Sequence, residues 1–353
     1  MCSRSAVCSL SASKTVPAGP GDVTPSWLTA VLDRDVDSAR WERVGADRGF
    51  TGLVGKVTLT SADMAADQPA SLIVKLPMAE GESVSTYRAA QQRDRALARR
   101  YYERAALEAR FYREIHDAPA PRLYYSAVDD ARQRVVLLLE DLTSGRPGDA
   151  LLGCSIDEVA LVLERMSAVH ALSPPERFPV WGHGLAARQE RYDRSVDAFL
   201  ERFGERFPAE IRRLAERLRS RLATVVAPLA ERGHHLIHAD LHLDNVIFDA
   251  PPSNRVVVID WQTVCVGHPA LDFVNLVYSS LTVEDRRAAE EDLHVEGIPL
   301  ALLNAFAGTV IWLAGVDALQ LSGRERVFFD RTLSDGRLVT GLLDHGTSRL
   351  EAV

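Results

Sequence analysis

Residues 234–264, HHLIHADLHLDNVIFDAPPSNRVVVIDWQTV, constrain the fold of this chain more than any other stretch. Two apolar runs, NVIF and RVVVID, flank the turn-rich DAPPSN, which predicts a β-hairpin whose second strand returns antiparallel to the first. Asn245, at the start of one run, and Asp260, at the end of the other, then lie at the same end. Asp240, five residues before Asn245 in the polar loop HADLHLDN, can turn back toward that end. Hard cations such as Mg²⁺ take oxygen ligands and keep waters or substrate phosphates in their remaining positions. Asn245 and Asp260 suit that role, which leaves Asp240 to orient or deprotonate an alcohol.

Two other readings of the loop stand beside this one. Its polar side chains would merely decorate a surface turn, or His238 and His242, with His234 and His235 nearby, would hold zinc. Against zinc, an extended segment does not put positions i and i+4 on one face as a helical HExxH does. Cys265 is the only cysteine near in sequence.

The rest of the chain divides around this segment. A length of 353 residues is long for a single core and predicts two lobes. Residues 1–22 read as a flexible tail, too broken by serines for a signal peptide. An N-cap candidate at Thr24 or Ser26 opens a short helix over SWLTAVLDRDV. WERVGA, LVGKVTLTS and SLIVKLP then read as a three-stranded meander. An Arg-rich helical region over 91–116 follows, with two more extended segments, PRLYYSAV and RQRVVLLLEDL. SGRPGD at 144–149 marks the boundary, giving a first lobe over 23–142 and a second over 143–353. The second is mainly helical: IDEVALVLERMSAVHAL, RQERYDRSVDAFLERF and PAEIRRLAERLRSRLATVVAPLAERG carry apolar residues at three- and four-residue spacing. FAGTVIWLAGV at 306–316 is too short for a membrane span and reads as a buried helix.

Composition narrows the function classes. A net charge of −8 argues against a dedicated nucleic-acid binder and is hospitable to a cationic small substrate. Four cysteines without a CxxC pair fit a reducing cytoplasm. Only three of 41 basic residues are lysines, Lys14, Lys56 and Lys75. A lysine at the end of the alternating strand SLIVKLP is therefore not background usage, although a snorkelling side chain would look the same.

HADLHLDN followed by VVVIDWQ resembles the Brenner motif and the metal-binding Asp of the aminoglycoside phosphotransferase and choline-kinase-like superfamily. The DWQ ending is closer to its ecdysteroid-kinase-like branch than to the DFG of protein kinases. The resemblance covers roughly residues 40 to 350. It implies an α+β, two-lobed protein-kinase-like fold, with a small antiparallel sheet in the first lobe and a larger, mainly α-helical second lobe. It implies that Asp240 is the catalytic base, that Asn245 and Asp260 hold Mg²⁺, and that His238 supports the loop. Lys75 would anchor ATP phosphates and pair with an acid from the next long helix. In LEARFYREI, Glu108 lies on the stripe with Ala105, Phe111, Tyr112 and Ile115, with Glu114 as the alternative. Backbone groups at Glu140 and Leu142 would meet the adenine, with GTP not excluded. Gly49 and Gly52, in GADRGFTGLVGK, would belong to the loop over the phosphates, although that segment lacks GxGxxG and also reads as an ordinary hairpin turn. Asp272 would brace the catalytic loop, His170 would pack beneath it, and Trp261 and Gln262 would stand behind the metal site. The Arg-rich helices from 187 to 232 read as solvated faces or as holders of an anionic group.

The implied activity is ATP- and Mg²⁺-dependent phosphorylation of a small-molecule hydroxyl. The acceptor would be an antibiotic of aminoglycoside, macrolide or nucleoside type, or a metabolite such as choline, a sterol or a hydroxyacyl thioester. A non-catalytic nucleotide-binding module is the rival from another class. No membrane or nucleic-acid partner is expected, and oligomeric state is not legible.

Overall fold

The computed structural model describes residues 15–44, 53–62, 68–77, 95–249, 255–292, 295–317, 321, 323–334 and 336–346. The chain forms two compact units, Met1–Ile115 with Pro121–Thr143, and His116–Ala120 with Ser144–Val353.

In the first unit, Thr24 caps helix α1 (Pro25–Leu32), its hydroxyl accepting from the Trp27 amide at 3.2 Å. A five-stranded antiparallel sheet follows in the order β1-β2-β3-β5-β4. Its strands are β1 (Ser38–Arg43), β2 (Leu53–Thr60), β3 (Ser71–Leu76), β4 (Leu123–Asp129) and β5 (Arg134–Glu140). Helix α2 (Arg95–Glu114) lies on β4 and β5. Strand β1 begins earlier than WERVGA suggests, because its sequence carries no period and pairing with β2 sets its extent. Gly55 on β2 tolerates no side chain: a Cβ there would stand 2.2 Å from the Trp41 indole on β1. Central β5 is buried from Val135 to Leu139. Val136 and Leu138 join the core that α1 also enters, with Trp27, Leu28, Val57, Leu72 and Val74.

The expected flexible tail of 1–22 is shortened at its inner end. Residues 1–14 lie outside the described residues, but Val16 is buried in the same core and Trp27 Nε1 donates to the Thr15 carbonyl at 2.9 Å. The single boundary also needs correction. Residues 116–120 belong to the second unit, where the Pro119 carbonyl accepts the Val258 amide at 2.6 Å.

In the second unit, β6 (Arg146–Pro147) precedes α3 (Ile156–His170), whose start is closed by a capping box of Ser155 and Glu158. Helices α4 (Leu185–Phe203), α5 (Ala209–Arg217) and α6 (Leu222–Arg232) follow. The stretch from Pro208 to Gly233, whose spacing is helical throughout, thus forms two helices. Ser220 adopts a left-handed conformation, φ 57°, and its amide donates to Asp193 Oδ1 at 2.9 Å, so a contact from α4 ends the helix. Strands β7 (His235–Ile237), β8 (Val246–Phe248), β9 (Val256–Val258) and β10 (Cys265–Gly267) lead into α7 (Ala270–Ser280) and α8 (Val283–Asp292). The final helices are α9 (Ile298–Gly315), α10 (Gly323–Ser334) and α11 (Arg337–Gly341). Helix α9 contains FAGTVIWLAG, with Val316 as its extended cap, and is long and apolar enough to cross a membrane by length and composition. It packs against α4, α6 and α7, burying Leu302, Phe306, Val310 and Leu313.

Candidate active site

The hairpin forms as its sequence suggests. Strands β8 and β9 pair antiparallel with Val246 opposite Val258, and the Ile259 amide donates to the Asn245 carbonyl at 2.9 Å. Asn245 and Asp260 are therefore at one end. Asn245 Nδ2 donates to the Asp240 carbonyl at 2.9 Å and to His242 Nε2 at 3.2 Å, which ties the polar loop back to the hairpin. Both amide hydrogens are then spent, and Oδ1 is the atom of that buried side chain left to meet a cation. Asp260 sits in the left-handed region, φ 66°, and its Oδ2 accepts from Gln262 Nε2 at 2.8 Å. The Asp240 carboxylate is half exposed, with Oδ1 3.8 Å from His242 Nε2. The Asn245 amide oxygen and the Asp260 carboxylate are hard oxygen donors, the chemistry that Mg²⁺ takes.

What holds the loop is a buried carboxylate. Asp272, on the first turn of α7, is fully buried and accepts from the backbone amides of His238 at 2.9 Å and Ala239 at 2.7 Å. His170 Nε2 lies 3.0 Å from the same carboxylate. These bonds pin Ala239 at φ 64°, a conformation costing a non-glycine residue roughly 1–3 kcal/mol. The Asn275 amide adds a bond to the Ala239 carbonyl, and Thr263 donates to that of His238. Asp272 thus braces the loop, and His170 packs beneath it.

The His238 ring is spent on structure. Nε2 donates to the Ile259 carbonyl at 3.0 Å and Nδ1 accepts the Asp240 amide at 3.3 Å, so neither nitrogen is open to a metal. Its ring stacks edge-on against buried Trp261, centroids 4.7 Å apart, and Trp261 Nε1 donates to the Val258 carbonyl. Burial pushes the Cys265 thiol up to about 12, which makes it a poor thiolate ligand.

In the first unit, Lys75 Nζ is 2.7 Å from Glu108 Oε2 and 3.0 Å from Oε1, with both side chains buried. Glu114 is exposed and Glu103 pairs with Arg99 at the surface, so the buried stripe of α2 selects Glu108. Removing one partner of such a pair leaves an uncompensated buried charge. Lys75→Met is therefore expected to lower unfolding free energy by about 3–5 kcal/mol. Adding Glu108→Leu should recover most of that loss, as urea titrations of the two variants would measure.

Glu140 ends β5 with its amide donating to the Arg122 carbonyl at 2.9 Å, and the Leu142 side chain is buried. Gly49 and Gly52 lie outside the described residues.

Two clusters were not legible in sequence. Asp141, between Glu140 and Leu142, accepts from Lys56 Nζ at 2.7 Å, Ser71 Oγ at 2.5 Å and Thr143 Oγ1 at 2.6 Å. Burial opposes its ionisation, but these donors prevail and bring its pKa down to about 2. In the second unit Arg324, on α10, pairs with Asp149 at 2.7 Å and with Asp244 Oδ1 at 2.6 Å. Asp149 is brought down to about 2, chiefly by the Arg324 hydrogen bonds. Gly148 packs its backbone on the same loop, where a Cβ would meet the Leu243 carbonyl at 2.2 Å. No local spacing points to Arg324, which is distant in sequence from both carboxylates.

Comparison with known proteins agrees with this architecture. None of the curated proteins matches the chain. Among solved structures it is similar to choline kinase from Cryptosporidium parvum Iowa II, at 13% identity and TM-score 0.50, over 95% of this chain and 96% of that one. It is also similar to the GDP and kanamycin complex of APH(2'')-IIia, at 13% identity and TM-score 0.51, over 92% of this chain and 97% of that one. A third is the GDP complex of aminoglycoside 2'-phosphotransferase-IIIa, at 14% identity and TM-score 0.51, over 89% and 96%. At such identity the likeness carries the fold, which is protein-kinase-like. The model of the phosphotransferase enzyme family, APH, matches residues 72–303, and so by more than half of its length the chain belongs to that family.

Proposed function

We propose that the protein is an ATP- and Mg²⁺-dependent kinase that phosphorylates a hydroxyl of a small molecule. One observation carries the reading: backbone and amide hydrogen bonds draw Asp240, Asn245 and Asp260 to one end of the hairpin. Phosphoryl transfer asks a protein chiefly for positioning and charge neutralisation. Asp240 accepts the proton of the acceptor hydroxyl, or orients that hydroxyl, as its oxygen attacks the γ-phosphorus and the bond to the β-phosphate oxygen breaks. Asn245 and Asp260 would hold Mg²⁺, which when bound offsets charge on the phosphates. Lys75 contributes a compact ammonium for the α- and β-phosphates, aimed by Glu108. Backbone groups at Glu140 and Leu142 hold the base of the nucleotide.

A nucleotide-binding module without transfer activity would keep the same polar groups. Incubating the purified protein with ATP, Mg²⁺ and a panel of hydroxylated antibiotics and metabolites separates the two by mass shift of the acceptor. The kinase reading expects one panel member to gain a phosphoryl group. Nucleotide binding with no phosphorylated product across the panel favours the module.

A further inference from the structure

The loop bearing Asp240 is held from two directions. From the hairpin, Ile259 donates to the Asn245 carbonyl, while Asp272 secures the His238 and Ala239 amides. From the turn after β6 and from α10, the hold is on Asp244, the residue before Asn245 in the 3₁₀ turn Leu243–Asn245. Asp244 Oδ1 accepts from Arg324 Nη2 at 2.6 Å and from the Ala150 amide at 3.3 Å. Arg324 also grips Asp149 with both terminal nitrogens, Nη1 at 2.7 Å and Nη2 at 2.9 Å. The turn bearing Asp149 is itself closed on the loop, because the Gly148 amide donates to the Val246 carbonyl at 2.8 Å.

This clamp differs from an ordinary surface ion pair. Arg324 is the second residue of α10, where a cation opposes the helix dipole, so the helix gains nothing from its charge. Its partners are 175 and 80 residues away in sequence, and one guanidinium therefore joins a helix, a turn and a loop. The three side chains are between 20 and 26% exposed, and charge-assisted bonds at such sites are directional. Leu241 and Leu243 are fully buried and anchor the loop in depth, but apolar burial is non-directional. The angle at which the turn presents Asn245 is left to the polar bonds. Asp244 borders Asn245 twice, through the main chain and through the His242 ring. Its Oδ2 lies 3.9 Å from His242 Nδ1, and His242 Nε2 accepts from Asn245 Nδ2 at 3.2 Å.

We propose that Arg324 is a positioning residue for the metal site: through Asp244 it sets the orientation of Asn245 and hence the affinity for Mg²⁺, while bonding to neither metal ligand. The proposal rests on the kinase reading, in which Asn245 holds the ion. Removing a group one step outside a metal's ligands lowers affinity about 10–100-fold, whereas breaking a part-exposed ion pair costs little stability. Arg324 should therefore matter far more to the metal than to the fold.

Titration of Mn²⁺ followed by electron paramagnetic resonance, with ADP present, tests this without requiring turnover. The signal of the site is the part that Asp260→Ala removes. Arg324→Gln should weaken Mn²⁺ binding about tenfold, with the melting midpoint lowered by only a few degrees. Arg326→Gln, which breaks the surface pair with Asp330 on the same helix, should bind Mn²⁺ as the wild type does. Asp244→Ala should weaken binding to a similar extent as Arg324→Gln, and combining the two should cost little more, because both break one link. In the metal-free protein, exchange of the Asn245 amide hydrogen, which is bonded to the His242 carbonyl, should quicken in Arg324→Gln. The proposal is overturned if Arg324→Gln keeps full Mn²⁺ affinity, if Arg326→Gln weakens it equally, or if the losses in the double variant add. The two readings fail differently. Wild-type protein that binds no Mn²⁺ at Asp260 removes the kinase reading and this proposal with it, whereas wild-type affinity in Arg324→Gln ends this proposal alone.

Discussion

Asp240→Asn should lower the rate of phosphoryl transfer about a thousandfold, while ATP binds as before. The substitution keeps the side chain's shape and removes its capacity to take a proton. The loop should survive, because Asp240 is held there by its main chain: its amide donates to His238 Nδ1 and its carbonyl accepts from Asn245. The loss should therefore fall on kcat and leave the KM for ATP nearly unchanged. Steady-state kinetics with an acceptor from the panel measure both constants. Turnover within a few-fold of wild type would remove Asp240 from its role and would sink the proposed mechanism.

Asp272→Ala should be the most damaging single change to the fold of the second unit. It strands the buried amide of His238 and the half-buried amide of Ala239 and removes the partner of His170. Each unsatisfied buried donor costs about 1–3 kcal/mol, so a loss near 3–5 kcal/mol is expected. For a unit of this size that corresponds to a melting midpoint lowered by roughly 10 °C. Ala239 would also lose the bond that keeps it at positive φ, so the loop should relax and activity should vanish even at temperatures where the variant is folded. Asp272→Asn should be intermediate, because its remaining oxygen still accepts one of the two backbone amides while its amide nitrogen faces the other donor and cannot accept it. Calorimetry and turnover at low temperature check the two effects; a midpoint shifted by only a degree or two would show that the bracket around Asp272 carries little of the stability.

Much of the candidate site was readable because it is local. Asn245 and Asp260 flank one short hairpin, and two continuous apolar runs around a turn already define which ends meet. Lys75 was readable for a related reason, as an ammonium at the end of an alternating strand in a chain that otherwise uses arginine. Glu108 needed one more step, the stripe on α2 that separates it from Glu114. The break between α5 and α6 leaves no trace in the apolar spacing, which does not report that Asp193, on another helix, captures the Ser220 amide.

By itself the sequence determined the hairpin, the alternation of β3, the predominance of helices after residue 150 and the residues of the Asp240 loop. These depend on neighbours within a few positions, where backbone geometry leaves few choices. Only the tertiary structure decided that Arg324 joins Asp149 to Asp244, and that Asp141 gathers Lys56, Ser71 and Thr143. Such contacts unite segments far apart along the chain, and the pairing of charges across that separation is set by how packed helices and strands place them, which no local period encodes.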